Sequence, residues 1–332
     1  MSVYLHGLGH FHPENEITNQ FLEDLDIGTN HEWIMERVGI ESRRTALSLD
    51  YIRETRNVDV RAACEAADYS LAQTGAKAAE LAIKRACIDK SQIGLVLAGS
   101  SAGDTYTPTE AANIACLMEL EVPAIDINSA CTSFFAGLHM LSWMNAAKLP
   151  EFVLLVIPEA VTRTVNYNDR SSAVLWGDGA AAAVISLKAP ATARIRGSAL
   201  ESSPAGADKI VVPRTGHFVQ QGRAVQMFAI KKTVAQIKRL RNEVASAHNE
   251  LQFVGHQANL RMLETVCQHA DIEPRHHHRN VDRFGNTAGA SAASVISQRW
   301  NQWSAGDQVA VAGVGAGLTW AGYLLEFSGD AV

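Results

Sequence analysis

The sequence predicts an α/β fold made of two pseudo-symmetric halves, residues 1–186 and 187–332. Two observations predict it. Uniformly apolar runs of strand length alternate with alanine-rich helical stretches, the pattern of a sheet covered on both faces. The chain also echoes itself. A strand closes at Gly99, and 32 residues later Cys131 opens a helix of small residues. A second strand closes at Gly255, and 31 residues later comes Asn286, opening NTAGASAASVI. Each half then ends in a glycine-rich turn and a strand, GDGAAAAVIS and GAGLTWAGYLLEF.

The elements follow in order. Ser70–Ala86 reads as a helix and Ile93–Gly99 (IGLVLAG) as a buried strand. Ala124–Ile127 is a short strand that runs into a helix beginning near Cys131. Phe152–Pro158 and Ala180–Ser186 complete the first half. Leu187–Gly222, rich in Pro, Ala and Gly, reads as a linker. The second half holds a helix over Gly222–His248 and strands at Phe253–Gly255, Val309–Val314 and Ala321–Phe327.

Composition narrows the function. The 332 residues are 47% hydrophobic and 19% charged, which suits a large buried core. A net charge of −6 gives no electrostatic case for nucleic acid or an anionic membrane. The start, MSVYLHGLGHFHPENEITN, lacks the basic and apolar regions of a signal peptide, and no apolar run reaches the roughly 18 residues of a membrane span. The five cysteines are odd in number, widely spaced and without a CxxC pair. The expectation is reduced thiols in a cytoplasmic protein, without a structural metal.

Three segments carry chemistry. AIDINSACTSFFAGLHM (Ala124–Met140) is a strand, a sharp turn and a helix, an arrangement that projects a nucleophile from Cys131. A helix start lowers a thiol's pKa, so a raised thiolate fraction is expected there. The plain alternative is a small core cysteine, the reading given to Cys64, Cys87, Cys116 and Cys267. In VGHQANLR, His256 follows a strand end and could be a base, a metal ligand, a donor or a structural histidine. In NVDRFGNTAGASAAS, Asn286 follows a glycine turn and could equally be a helix cap.

Taken together, Cys131 in SAC, His256 in GHQANLR and Asn286 in RFGNTAGAS resemble the Cys–His–Asn triad of β-ketoacyl-acyl-carrier-protein synthase III, a thiolase-superfamily ketosynthase. The resemblance spans nearly the whole chain, with NHEWIMERVGIESRR (Asn30–Arg44), NDRSSAVLWGDGAAAAV (Asn168–Val184) and GAGLTWAG (Gly315–Gly322). It implies a five-layered α/β/α/β/α fold, a homodimer and an acyltransferase. An acyl-CoA acylates Cys131, and a malonyl thioester, on an acyl carrier protein or on CoA, condenses with loss of CO₂. No cofactor is bound permanently; coenzyme A thioesters are substrates. His256 and Asn286 steady the enolate oxygen, and the N–H groups of Cys131 and Ala316 form the oxyanion hole. The resemblance further implies that Trp33, Arg37 and Arg170 hold the adenine of CoA. Asn259 lines the pantetheine tunnel, and Arg261, with the basic stretch around Lys231 and Lys232, docks an acidic carrier protein.

Departures bear on substrate. Thr107 stands where the family often has a bulky Phe that enters the partner's acyl pocket, which implies a longer or differently shaped acyl group. Thr132 and Ser133 replace the usual x-Gly after the nucleophile and are expected to alter the pocket walls. A lysine that the family uses for carrier contact is replaced near Met227, and Ala316 replaces a Gly. These changes keep open a specialised secondary-metabolite enzyme, with or without decarboxylation, beside fatty-acid initiation. A non-catalytic partner subunit is disfavoured by the intact triad. Gly313-x-Gly315-x-Gly317 lacks the downstream helix and acid of a dinucleotide site, and His276–His278 do not share a face.

Overall fold

The computed structural model describes residues 2–244 and 250–328. Ten strands form one continuous sheet. In chain order they are β1 (Val3–Phe11), β2 (Ile93–Ala98), β3 (Ala124–Asp126), β4 (Phe152–Glu159), β5 (Gly179–Ser186), β6 (Ala193–Ser202), β7 (Gln252–Gly255), β8 (His277–His278), β9 (Gln308–Gly315) and β10 (Thr319–Phe327). Across the sheet the order is β8-β7-β9-β10-β6-β1-β5-β4-β2-β3. Each set of five follows the same plan. Its second strand pairs in parallel with its third and fourth, and its fourth, fifth and first run antiparallel. The sets join where Val3–Leu5 of β1 pair with β6.

Six helices cover and separate the sheet: α1 (Leu71–Ala86), α2 (Glu110–Leu117), α3 (Ser133–Trp143), α4 (Gly222–Arg241), α5 (Leu260–His269) and α6 (Ser291–Gln298). A capping box of Ser70 and Gln73 starts α1, whose alanine face packs with α2 on one side of the first five strands. That contact is close enough that a Cβ on Gly9 of β1 would sit 1.9 Å from the Ala78 carbonyl oxygen. The apolar side chains of α3 and α6 lie in one core with strands from both sets, and α4 and α5 cover the outer face of the second set. The result is the expected α/β/α/β/α layering.

Two expectations need correction. Leu187–Gly222 is more than a linker, because it contains β6, the first strand of the second set. Its alternation of Ala193 and Ile195 with Arg194 and Arg196 is masked by Gly197, which takes φ +57°. The helix from Gly222 ends at Arg241, and the rest of its expected span, 245–249, lies outside the described residues. No helix among the described residues is long and apolar enough to cross a membrane.

Burial also makes the fold sensitive to acid. Desolvation pushes His10, His256, His277 and His278 down to about 4 and His12 to about 3. Between those values and the unfolded value of about 6.5 the unfolded chain binds more protons, so stability is lost as pH falls through this window. Each such histidine contributes at most about 1.4 kcal/mol per pH unit. The urea midpoint is expected to drop steadily from pH 6.5 to 4; an unchanged midpoint would contradict the burial of these rings.

Candidate active site

β3 leads into a turn that places Cys131 between the two halves. Ala130 takes φ +47°, and its N–H donates to Asn128 Oδ1 at 2.9 Å. Residues Ala130–Thr132 form one 3-10 turn before α3 begins at Ser133. Thr132 and Ser133 brace this turn and do not line the cavities at Cys131, contrary to expectation. Thr132 Oγ1 donates to the Ser129 carbonyl at 2.7 Å and meets Thr319 Oγ1 at 2.7 Å, while Ser133 Oγ accepts the Ser129 N–H at 2.9 Å. Gly315 ends β9 directly against the turn. A Cβ there would lie 3.2 Å from the Cys131 nitrogen and 3.1 Å from that of Thr132, so any larger residue would push the turn by a few tenths of an ångström. Ala316 is tolerated because the positive φ falls on Gly317, at +129°.

The second half carries a matching turn. Ala288, at φ +43°, opens a 3-10 turn, Ala288–Ala290, which leads into α6. By backbone geometry, therefore, Cys131 corresponds to Gly289 and not to Asn286, as the sequence echo suggested. Asn286 lies just before the turn. Its Oδ1 accepts the Ala288 N–H at 2.9 Å, and its backbone is tied to Leu175 and Gly177. Its Nδ2 donates to no described group. His256 follows β7, held by its N–H on the Ala312 carbonyl at 2.9 Å. Its Nδ1 meets Ser291 Oγ at 2.7 Å, and that oxygen also accepts the Gln257 N–H at 3.2 Å.

The electrostatics reverse one expectation. Cys131 is 9% exposed, and its thiol is pushed up to about 12, first by burial and then by the charge of Glu159; its own N–H partly opposes this. The 3-10 turn ahead of α3 does not offset that desolvation. At neutral pH the Cys131 side chain is therefore held as a thiol. Burial likewise keeps His256 neutral, at about 4.

Cys131, His256 and Asn286 line one cavity of about 320 Å³, together with Trp33, Arg37 and Asn259. A second cavity, of about 130 Å³, begins at Cys131 and is walled by Val161, Ile210, Val212 and Phe218, with Ala316 at its edge. Trp176 and Phe218, in edge contact with centroids 4.6 Å apart, border both. Asn259 caps α5, its Oδ1 accepting the Met262 N–H at 2.8 Å.

The Arg37 guanidinium lies over Trp33 at 5.9 Å; that of Arg170, which does not itself line the cavity, lies over the same ring at 4.8 Å. Arg261 is already engaged, donating to the Met35 carbonyl at 2.8 and 3.1 Å and to Glu264 at 2.9 Å. Lys232 lies on Trp320 at 3.6 Å, whereas Lys231 and Lys238 are exposed and make no ion pair among the described residues. Met227 is exposed. Thr107 is exposed too and lines none of the cavities at Cys131 within one chain. The three histidines at 276–278 disperse, onto Glu250, Phe253 and Gln252. Sequence reading missed Ser291 and Glu159. Ser291 carries no local signal. Glu159 did leave one, a lone carboxylate closing an otherwise apolar strand.

Family profiles match two parts of the chain. Residues 125–204 match "3-Oxoacyl-[acyl-carrier-protein (ACP)] synthase III" and residues 248–327 its C-terminal part. The β-ketoacyl-[acyl-carrier-protein] synthase III of Sulfurovum sp. is 30% identical, covering 98% of this chain and 96% of that protein. The 3-oxoacyl-(acyl carrier protein) synthase III of Pseudomonas aeruginosa PAO1 superposes with a TM-score of 0.85 at 26% identity, over 100% of both chains. The priming β-ketosynthase of the R1128 polyketide pathway gives 0.78 at 25%, over 99% of this chain and 97% of that one. The chain belongs to the β-ketoacyl-[acyl-carrier-protein] synthase III family of the thiolase superfamily, and it is a condensing acyltransferase.

Proposed function

We propose that the protein joins an acyl-CoA to a malonyl thioester by decarboxylative Claisen condensation. The observation that carries this reading is the shared cavity: one thiol, one neutral imidazole and one amide nitrogen without a described partner line it, together with Trp33 and Arg37. Cys131 attacks the acyl thioester, its proton leaves with the CoA sulfur, and the acyl chain lies in the smaller apolar cavity. The tetrahedral oxyanion is met by the N–H groups of Cys131 and Ala316. Malonyl thioester then enters, loses CO₂ and leaves an enolate. In this reading the Ser291 hydroxyl donates to His256 Nδ1, which puts the ring proton on Nε2. That N–H and Asn286 Nδ2 steady the enolate oxygen until its carbon attacks the acyl carbonyl; the C–S bond to Cys131 then breaks, and the released thiolate takes a proton from water.

Adenine binding in this reading separates Arg170 from Trp33, with Arg37 alongside. Carrier docking falls on Lys231 and Lys238, since Arg261 is engaged. The working unit is a cytoplasmic homodimer. Strand β3 ends the sheet unpaired on one side, with Ile125 53% exposed, an edge a second copy would cover while each Thr107 crosses to its neighbour. A priming role in secondary metabolism is favoured by Thr107, by the exposed Met227 and by the likeness to the R1128 priming ketosynthase.

Intact mass spectrometry after incubation with acyl-CoAs of graded length tests the donor step. An adduct on Cys131 followed by CO₂ release from malonyl thioester is expected. Acylation without CO₂ release from any malonyl thioester would point instead to transfer onto another acceptor.

A further inference from the structure

Glu159 is a buried carboxyl for which the reaction above has no use. It closes β4, is 1% exposed and accepts four hydrogen bonds. Two come from Ser101, through N–H and Oγ, both at 2.9 Å; one comes from Ser100 Oγ at 3.4 Å and one from the Gly289 N–H at 3.1 Å. These groups are uncharged, and the carboxyl lies beside the Cys131 turn: a Cβ on Gly289 would sit 2.9 Å from Glu159 Oε1 and 3.0 Å from the Ala130 carbonyl oxygen, and the carboxylate charge reaches the Cys131 thiol.

The two turns explain its place. Gly289 is the counterpart of Cys131, each one residue after an alanine of positive φ. The Cys131 N–H is the expected holder of the transient oxyanion; the Gly289 N–H holds an oxygen of the Glu159 carboxyl. Through that bond Glu159 fixes Gly289, and with it Ala288, whose N–H is held by Asn286 Oδ1. On its other side it fixes Ser101, a wall of the smaller cavity. The same carboxyl therefore braces the donor that meets the enolate and the space that takes the acyl chain.

We infer that Glu159 is a positioning residue of the condensation, holding Asn286 through the second turn from a place beside the Cys131 turn. Its charge there also opposes ionisation of the Cys131 thiol. The kinetic half of this inference rests on the condensing reading of the site; the ionisation half does not.

Glu159→Gln keeps the shape and removes the charge. Alkylation of Cys131 by iodoacetamide, followed peptide by peptide against pH, needs no substrate. With the carboxylate gone, the thiolate forms at lower pH, and at a fixed pH below the midpoint alkylation runs roughly tenfold faster, the effect of one pKa unit. In parallel, kcat for condensation falls about 10²-fold while acylation of Cys131 falls only a few-fold, because loosening Ser101 shifts one wall of the acyl cavity whereas displacing Asn286 removes a donor from the enolate step. The unaltered protein supplies a control against misfolding of the variant. Glu159 titrates near 7, so the rise of its alkylation rate with pH should flatten there, as the new charge opposes the thiolate. An alkylation profile unmoved by the substitution, a single ionisation in the unaltered protein, or equal losses in acylation and condensation would each overturn the inference. A protein that never condenses would sink the proposed function and leave the alkylation result standing.

Discussion

Replacing Cys131 with alanine is expected to abolish acyl-enzyme formation and to lower net condensation by about 10⁴-fold or more, the scale seen when a covalent nucleophile is removed. No other thiol can substitute for it. Cys64, Cys87 and Cys116 are exposed, Cys267 is buried elsewhere on α5, and none of the four lines the cavity with His256 and Asn286. The fold should survive. The substitution removes one sulfur from a site bordered by cavities, and the turn is held by Asn128, Ser129, Thr132 and Ser133, not by the thiol. Intact mass spectrometry and a thermal melt decide the matter together. An unchanged melt with no adduct supports the assignment, and retained acylation by the alanine variant contradicts it.

Asn286→Asp should separate the two half-reactions. The change keeps an oxygen to accept the Ala288 N–H, so the second turn is preserved. It removes the Nδ2 donor and places a carboxyl where an enolate must form. Losing one preorganised donor costs about 10²–10³ in rate. Condensation should fall by at least that factor, while acylation of Cys131 stays within a few-fold of normal. His256→Ala should show the same split, because the ring is neutral over the working pH range and acts as a donor. Single-turnover acylation followed by addition of malonyl thioester reads the two steps apart. Equal losses in both would mean that these residues serve the thiol rather than the enolate.

Much of this site was legible before any coordinates. A nucleophile at a strand-to-helix turn, a histidine beyond a strand end and an asparagine ahead of a small-residue helix are local patterns, and local patterns survive in sequence. The layered fold was legible for the same reason, since buried strands and alanine-rich helices announce themselves by periodicity. β6 was not, because only part of it carries an apolar face and Gly197 breaks its alternation.

What the sequence by itself determined is which residues could react and in what order they occur along the chain. What the tertiary structure decided is their state. Cys131 sits at a helix start, which argues for a thiolate, yet burial and Glu159 hold it as a thiol. The true counterpart of Cys131 in the second half is Gly289, found by a backbone angle and not by spacing. Thr132 and Ser133 turned from pocket walls into braces once their partners were known. The physical reason is the same in each case. Desolvation and hydrogen bonds join residues far apart in the chain, as Glu159 joins Ser101 to Gly289, and no local pattern records which distant groups will exclude water from one another.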